Sequence, residues 1–246
     1  MYTPLPDGIE KSAQYVQYTE AKPPHDLDKL MHCFWELKTI APLTEDFHLH
    51  AVPDACADVM FNELDTNIAG VTALRTTYEV LNLGKEFHYV GVQFLPGAWQ
   101  GSRNEIANKY IGSAYTGSLP LIKTNNKMIG LSFRDKQSIM AELVRQLARE
   151  QVVIANEVTA KILTRLDDMH SVADMAEITG VTPRQLQRTL RQATGFAPHD
   201  FLKVLRLQQA MKEGYATLYT DQSHFIRSFR AITGYTPAQY FSKFDV

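Results

Sequence analysis

Residues 171–191 of this 246-residue chain read SVADMAEITGVTPRQLQRTLR, an order typical of two short helices joined by a tight turn. Ser171 followed three residues later by Asp174 is a helix-start pattern. Gly180 suits the left-handed backbone that ends a helix and closes a turn. The first helix, about two turns long, would bury one apolar side made of Val172, Met175, Ala176 and Ile178.

The second helix of this pair has two chemically different faces. Thr182 and Gln185 form a capping-box pattern around Pro183, a residue that suits the first turn of a helix. Leu186 and Leu190 share the apolar face, and the opposite face carries Arg184, Gln187, Arg188 and Arg191. Arginine recognises guanine, and glutamine recognises adenine, in a major groove wide enough for a helix. We therefore predict a helix-turn-helix with these four residues at DNA, the alternative being an ordinary helical hairpin with a polar outer side.

An internal repeat with an offset of 39 residues supports this interpretation. LQRTLR at 186–191 aligns with FIRSFR at 225–230, and TGFAP at 194–198 aligns with TGYTP at 233–237. Two copies of one recognition element allow a protein to read successive major grooves on one face of DNA. A helix from about 199 to 212 would separate the copies.

These motifs resemble a known family. Residues 157–246 resemble the DNA-binding domain of AraC/XylS-type regulators, most specifically in DQSHFIRSFR at 221–230 and TGYTPAQY at 233–240. The resemblance implies a second helix-turn-helix unit whose DNA-facing residues are Gln222, Ser223, His224 and Arg227. Only residues 211–217 separate Ala210 from Leu218, so we expect a shortened supporting helix in this unit and assign most base reading to the first.

The N-terminal half has a different pattern. Up to about residue 120, short β-branched and aromatic runs are interrupted by turn residues, as in HCFWEL at 32–37, DVMF at 58–61 and YVGVQF at 89–94. Residues 18–97 resemble, less specifically, the N-terminal domain of some AraC/XylS-type regulators, which implies a small β-barrel that senses an effector and dimerises.

An amphipathic helix is predicted to follow from Phe133, with Ile139, Leu143 and Leu147 on its apolar stripe. This stripe could pack on its own barrel or against a second copy of the chain, and we expect the dimer seam. The fold class is α+β: a β-barrel-like effector-sensing and dimerisation domain (1–130), a linker helix (131–156) and an all-α helix-turn-helix domain (157–246).

Composition and charge narrow the function classes. Residues 184–230 hold eight basic and three acidic side chains, a balance that suits phosphate contacts. Two cysteines build neither a disulfide framework nor a four-cysteine zinc site, which disfavours a DNA-alkyl-repair fusion. No run approaches the roughly 18 apolar residues of a membrane span, and no signal peptide is visible. We expect a cytoplasmic protein that does not use a membrane.

Candidate ligand residues in the N-terminal half are less distinctive. Trp35, His50, Trp99 and Arg103 are the candidate effector contacts, with Tyr110 as a further aromatic. His48 and His50 would share one strand face, and Glu36, Cys56 and His88 are the further metal ligands considered, although their spacing does not unite them. Asp54 and Asp58 are interpreted as turn residues beside Pro53. We expect no resident metal and no cofactor.

The leading hypothesis is thus a homodimeric, effector-responsive transcription regulator rather than an enzyme. Its partners would be double-stranded DNA, a small-molecule effector and, if it activates, RNA polymerase. Two alternatives stay open: a metal-dependent barrel enzyme with an accessory DNA-binding domain, and a regulator controlled by a protein partner.

Overall fold

The computed structural model describes residues 2–72, 74–106, 112–213 and 222–245, without the side chains of Arg103, Glu213, Gln222 and His224. Its strands are β1 (Ile9–Glu10), β2 (Val16–Ala21), β3 (Met31–Thr39), β4 (Phe47–Ala51), β5 (Ala57–Asn62), β6 (Ala69–Val71), β7 (Glu79–Gly84), β8 (His88–Phe94) and β9 (Phe244–Asp245). Its α-helices are α1 (Leu121–Met128), α2 (Phe133–Arg149), α3 (Glu157–Thr164), α4 (Val172–Thr179), α5 (Pro183–Thr194), α6 (Pro198–Glu213), α7 (Gln222–Thr233) and α8 (Pro237–Lys243). No described helix is long and apolar enough to cross a membrane.

An antiparallel five-stranded sheet in the order β2-β3-β8-β5-β6 forms the centre of the N-terminal half. Successive side chains of a strand point to opposite faces. One face therefore buries Phe34, Val59, Val92 and their neighbours in a core with α1 and α2. The other face presents Trp35, Leu37 and Met60 to a second cluster.

Helix α2 belongs to the first of these cores. Ser132 caps it by accepting a hydrogen bond from the Asp135 amide, and Met140, Val144 and Leu147 are fully buried. The apolar stripe is thus covered by the sheet and α1 of the same chain. This corrects the expectation of a dimer seam, since burial within the chain already removes the stripe from water.

The predicted β-rich half is confirmed, but its described strands do not form a closed barrel. Strands β4 and β7 make a separate two-stranded sheet over the Trp35-bearing face of the larger sheet. Pro53 offers no amide for strand pairing, and Ala55 has a φ of 63°. The chain therefore turns between β4 and β5, and a cavity is left between the two sheets.

The C-terminal helices form two clusters that also include N-terminal residues. Tyr2, Ala55 and Cys56 join the core of α3–α6, and Val52 joins the core around α7 and α8. Strand β1 pairs antiparallel with β9, which links the two ends of the chain. The helical half is consequently fixed to the β-rich half through shared cores and through backbone pairing.

The central sheet leaves no room for a side chain at Gly91. A β-carbon there would overlap the Trp35 indole and lie 2.7 Å from the carbonyl oxygen of Val59. We expect Gly91→Ala to lower the free energy of unfolding by about 2–3 kcal/mol through overpacking. The control Gly130→Ala adds its β-carbon to open space at a φ of 75°, so it should lose only about 1 kcal/mol. Equal losses in denaturant titrations would contradict the steric explanation.

Candidate DNA-binding surface and effector cavity

Helix α4 and the turn after it have the predicted geometry. The Ser171 hydroxyl accepts from the Asp174 amide at 3.2 Å, and the Asp174 carboxylate accepts from the Ser171 amide at 2.8 Å. Hydrogen bonds from the His170 amide and from Ser171 hold the pKa of Asp174 below its ordinary value. Gly180 ends the helix with a φ of 73°, and Val181 packs on the core between the helices.

Helix α5 is fixed at both ends. The Thr182 amide donates to Gln185 Oε1 at 2.9 Å, completing the predicted capping box, and Gly195 ends the helix at a φ of 75°. Leu186 and Leu190 are fully buried. The four residues predicted to face DNA are all exposed: Arg184, Gln187, Arg188 and Arg191. Because this helix contains no acidic residue, every charge on its outer face is positive.

The two copies of the internal repeat make matching hydrogen bonds at the ends of their helices. Thr194 Oγ1 donates to the Leu190 carbonyl at 2.7 Å, and 39 residues later Thr233 Oγ1 donates to the Phe229 carbonyl at 2.9 Å. Each threonine hydroxyl also accepts from the amide two residues on, at Phe196 and Tyr235. The two sequence repeats therefore adopt the same helix-end geometry.

The second unit is described only in part. Ser223 and Arg227 are exposed on α7, where Arg227 Nε donates to the Ser223 carbonyl at 3.3 Å. The side chains of Gln222 and His224 lie outside the description, as do residues 214–221, where the shortened supporting helix is expected. Helix α6 continues to Glu213, so the spacer uses three of the residues between Ala210 and Leu218.

A cavity of about 100 Å³ lies between the two sheets of the N-terminal half. Leu5, Pro6, Asp7 and Ile9, which precede and begin β1, form part of its wall. We call residues 2–10 the N-terminal arm. Leucines from β3, β4 and β7 supply much of the apolar wall: Leu37, Leu49, Leu81 and Leu83. The polar lining includes three carboxyl groups, Asp7, Asp54 and Asp58, and the guanidinium of Arg75.

Each of these carboxyl groups is anchored by the fold. Trp35 Nε1 donates to Asp58 at 2.9 Å, and Gln93 Nε2 donates to Asp54 at 2.8 Å. The Val52 amide donates to Asp7 at 2.9 Å. Burial raises the pKa of Asp7 and raises that of Asp54 well above its ordinary value. Burial likewise raises the pKa of Asp58 to about 7, against the opposing bond from Trp35.

Of the four predicted effector residues, the structure brings Trp35 to this cavity. Trp99 is buried in the core with α2, and His50 lies on the outer face of β4. The side chain of Arg103 and all of Tyr110 lie outside the description. The sequence interpretation missed Asp54 and Asp58. The available signal was the position of Asp58 between Ala57 and Val59 in an apolar run, which predicts a carboxyl facing inward on a strand.

His50 connects the two halves of the chain instead. It is 2% exposed, with its ring stacked on Tyr78 at 5.0 Å and on Phe244 at 4.9 Å between ring centroids. Tyr235 and Tyr240 contact it edge-on. Three of these four aromatic residues follow α7, so a side chain of the β-rich half is enclosed by the second helix-turn-helix unit.

The metal ligands considered from sequence do not assemble. His48 is exposed, and Glu36 binds His88 at 2.9 Å and Lys38 at 2.8 Å, away from His50. Among the described residues, metal-ligating atoms come together instead at Glu20, His32 and Cys33, all within 4.8 Å of one another. A bulge between Met31 and Cys33 changes the register of β3 at this point.

Comparison with known proteins agrees with this division of the chain. Residues 175–243 match a family described as "Helix-turn-helix domain", and residues 19–111 match "Domain of unknown function (DUF6597)". No curated protein matches. The chain thus has a β-rich half followed by a helical half that contains a helix-turn-helix domain. Its C-terminal part is an AraC-type helix-turn-helix domain, which confirms the resemblance seen in the sequence.

Three crystal structures of ToxT from Vibrio cholerae are also similar. The first has 8% identity and a TM-score of 0.42, covering 93% of this chain and 98% of that one. ToxT from strain O395 has 11% identity and a TM-score of 0.42, covering 92% and 97%. ToxT from strain SCE256 with a bound unsaturated fatty acid has 10% identity and a TM-score of 0.35, covering 99% and 98%. Likeness at this level does not extend to ligands or to DNA contacts.

Protonation of His50 should loosen its aromatic enclosure. Burial lowers the pKa of His50 below 6.5, so the unfolded chain binds this proton more readily and stability falls as pH drops through about 6.5. Raised pKa values at Asp7, Asp54 and Asp58 act in the opposite direction. The informative quantity is therefore the difference in unfolding free energy between His50→Phe and wild type.

This difference should shift in favour of His50→Phe between about pH 7.5 and 5.5, by at most about 1.4 kcal/mol per pH unit. The exposed His48→Phe on the same strand should follow the wild type throughout. Parallel stability curves for His50→Phe and wild type would contradict the assignment.

Proposed function

We propose that this protein is a sequence-specific DNA-binding transcription regulator whose N-terminal half binds a small-molecule effector. The observation that carries the proposal is the outer face of α5. Its three arginines and Gln187 are exposed on a helix that is capped at both ends and anchored by Leu186 and Leu190. A rigid, cationic, amide-bearing helix face is suited to base edges in the major groove.

Charge supports binding to duplex DNA. The excess of basic residues between 184 and 230 would neutralise phosphates and release counterions, so affinity should fall steeply with salt. We assign most base reading to Arg184, Gln187 and Arg188 of α5, with Arg191 beside them. In α7 we assign DNA contacts to Gln222, Ser223, His224 and Arg227. We further propose that the protein acts in the cytoplasm as a homodimer, with RNA polymerase as a further partner if it activates transcription.

The N-terminal arm offers a physical connection between effector and DNA. Leu5, Pro6, Asp7 and Ile9 of the arm line the cavity, and β1 at the end of the arm pairs with β9 directly after α8. Gln208 of α6 fixes the arm from the other side, because its Oε1 accepts from the Leu5 amide at 2.8 Å and its Nε2 donates to the Pro53 carbonyl at 2.9 Å. An effector that changes the position of the arm would shift the placement of both helix-turn-helix units.

The metal site that the alternative enzyme would build on His48 and His50 has no support among the described residues. His48 and His50 share a strand face, but His48 is exposed while His50 is enclosed by aromatic rings. We therefore propose a non-enzymatic regulator.

Replacement of Arg188 by alanine tests the DNA-binding surface. If Arg188 reads a base, Arg188→Ala should weaken binding to a cognate promoter fragment by about 1–3 kcal/mol and leave binding to scrambled DNA almost unchanged. Arg134→Ala, which removes an exposed arginine from α2, is the matched control and should bind like the wild type. Fluorescence anisotropy with labelled duplexes over a salt series measures both. Wild-type affinity that is equal for promoter and scrambled DNA would refute sequence-specific recognition.

Replacement of Gln208 by methionine tests the connection through the arm. Gln208→Met keeps the shape of the side chain but leaves the Leu5 amide and the Pro53 carbonyl without their partner. We expect faster hydrogen exchange at Gly8 and Lys11, whose amides bind the His50 and Lys243 carbonyls. The control Gln209→Met removes the Gln209 hydrogen bond to Asp167 and should preserve this protection. Unchanged exchange in Gln208→Met would show that α6 does not hold the arm.

A further inference from the structure

The cavity has an unbalanced charge. Asp7, Asp54 and Asp58 line it, and Arg75 is the one cationic side chain among its described lining residues. The Arg75 guanidinium acts on all three carboxyl groups and also lies 3.4 Å from the Glu79 carboxylate, so one cation serves four acids. All three aspartates are half-buried, and since they line the cavity, the surface they keep is available to a ligand.

The hydrogen bonds described for Asp54 and Asp58 come from neutral donors. Asp54 accepts from the Cys56 amide at 2.9 Å and from Gln93 at 2.8 Å. Asp58 accepts from Trp35 at 2.9 Å and from the Thr72 hydroxyl at 3.4 Å. These bonds fix the position of each carboxyl group but bring no positive charge to it. Each carboxylate oxygen has two lone pairs and can accept a further donor.

The rest of the cavity wall favours a ligand with an apolar part. Leu37, Leu49, Met60, Leu81 and Leu83 face the same space as the carboxyl groups. A cavity of about 100 Å³ accommodates only a small molecule. A fitting ligand therefore combines a compact hydrocarbon part with a charged group that donates several hydrogen bonds.

We propose that the effector cavity binds a small organic cation, an ammonium or amidine group on a short apolar body, with Asp54 and Asp58 as its carboxylate partners. This inference rests on the proposed effector-binding function and specifies its ligand class. Burying carboxyl groups with too little counter-charge is costly, and a cationic ligand supplies the missing charge. An anionic or purely apolar ligand would leave the charge imbalance in place.

Binding should be linked to proton release. Titratable or charged groups around Asp58 come from several elements: Asp7 of the arm, Tyr18 of β2, Cys33 of β3, Asp54 and Cys56 before β5, and Arg75 after β6. Because burial raises the pKa of Asp58 to about 7, a cation would displace a proton near neutral pH. Affinity should then rise by up to about tenfold per pH unit through this range.

The experiment compares isosteric probes on the full-length protein. We expect n-butylamine to raise the thermal unfolding midpoint by roughly 5–10 °C at about 100 times its Kd. The neutral n-butanol and the anionic butanoate should produce no comparable shift. Asp58→Asn and Asp54→Asn should each weaken amine binding at least tenfold in calorimetry. Glu45→Gln, which neutralises an exposed acid of the same half, should not.

Three outcomes would overturn the proposal: equal stabilisation by amine and alcohol, stronger binding of the carboxylate, or no amine binding at any pH between about 6 and 8. The probe comparison uses wild-type protein, so it decides even if an aspartate variant fails to fold. Promoter binding is measured on the same samples. A protein that binds promoter DNA but no amine loses only the ligand class, whereas one that binds amine without promoter specificity loses the regulator function.

Discussion

The bond from the Trp35 indole to Asp58 crosses strand β8 at Gly91, a residue without a side chain. Trp35 and Asp58 can meet because side chains alternate between the two faces of a sheet and these two lie on the same face. The same alternation gives the sheet two chemically different faces. One face buries an apolar core against α1 and α2. The other keeps carboxyl groups inside the protein, where each needs a fixed donor because an unpaired buried polar group is costly. The cavity exists because β4 and β7 cover this second face without filling it.

The same arrangement explains why the two halves of the chain are not independent. The strand β4 that covers the cavity carries His50 on its outer side, and the second helix-turn-helix unit encloses this ring. The arm that completes the cavity wall continues into a pairing with β9. The cavity and the helix-turn-helix units thus share structural elements, and because packed interiors deform little, a displacement of β4 or β1 would move both.

Sequence reasoning was most successful where the signal is local. Capping boxes at Ser171 and Thr182, and glycines with positive φ at 180 and 195, act within a few residues of chain, so their geometry could be predicted. The aspartates show the opposite case. Asp54 was interpreted as a turn residue and does accept from the Cys56 amide two residues on, as such residues do. Its other partner, Gln93, is 39 residues away, and nothing in the local pattern points to it.

The sequence by itself determined the element types, the repeat of the recognition helix and the cationic face of α5, because propensity, capping and helical periodicity are short-range effects. Only the tertiary structure decided that α2 packs on its own sheet, that the strands stay open around a cavity, and that His50 belongs to the junction between the halves. Each of these depends on which apolar surfaces meet. An amphipathic stripe or an apolar strand face indicates that it will be buried, but the surface that covers it depends on the fold of the whole chain.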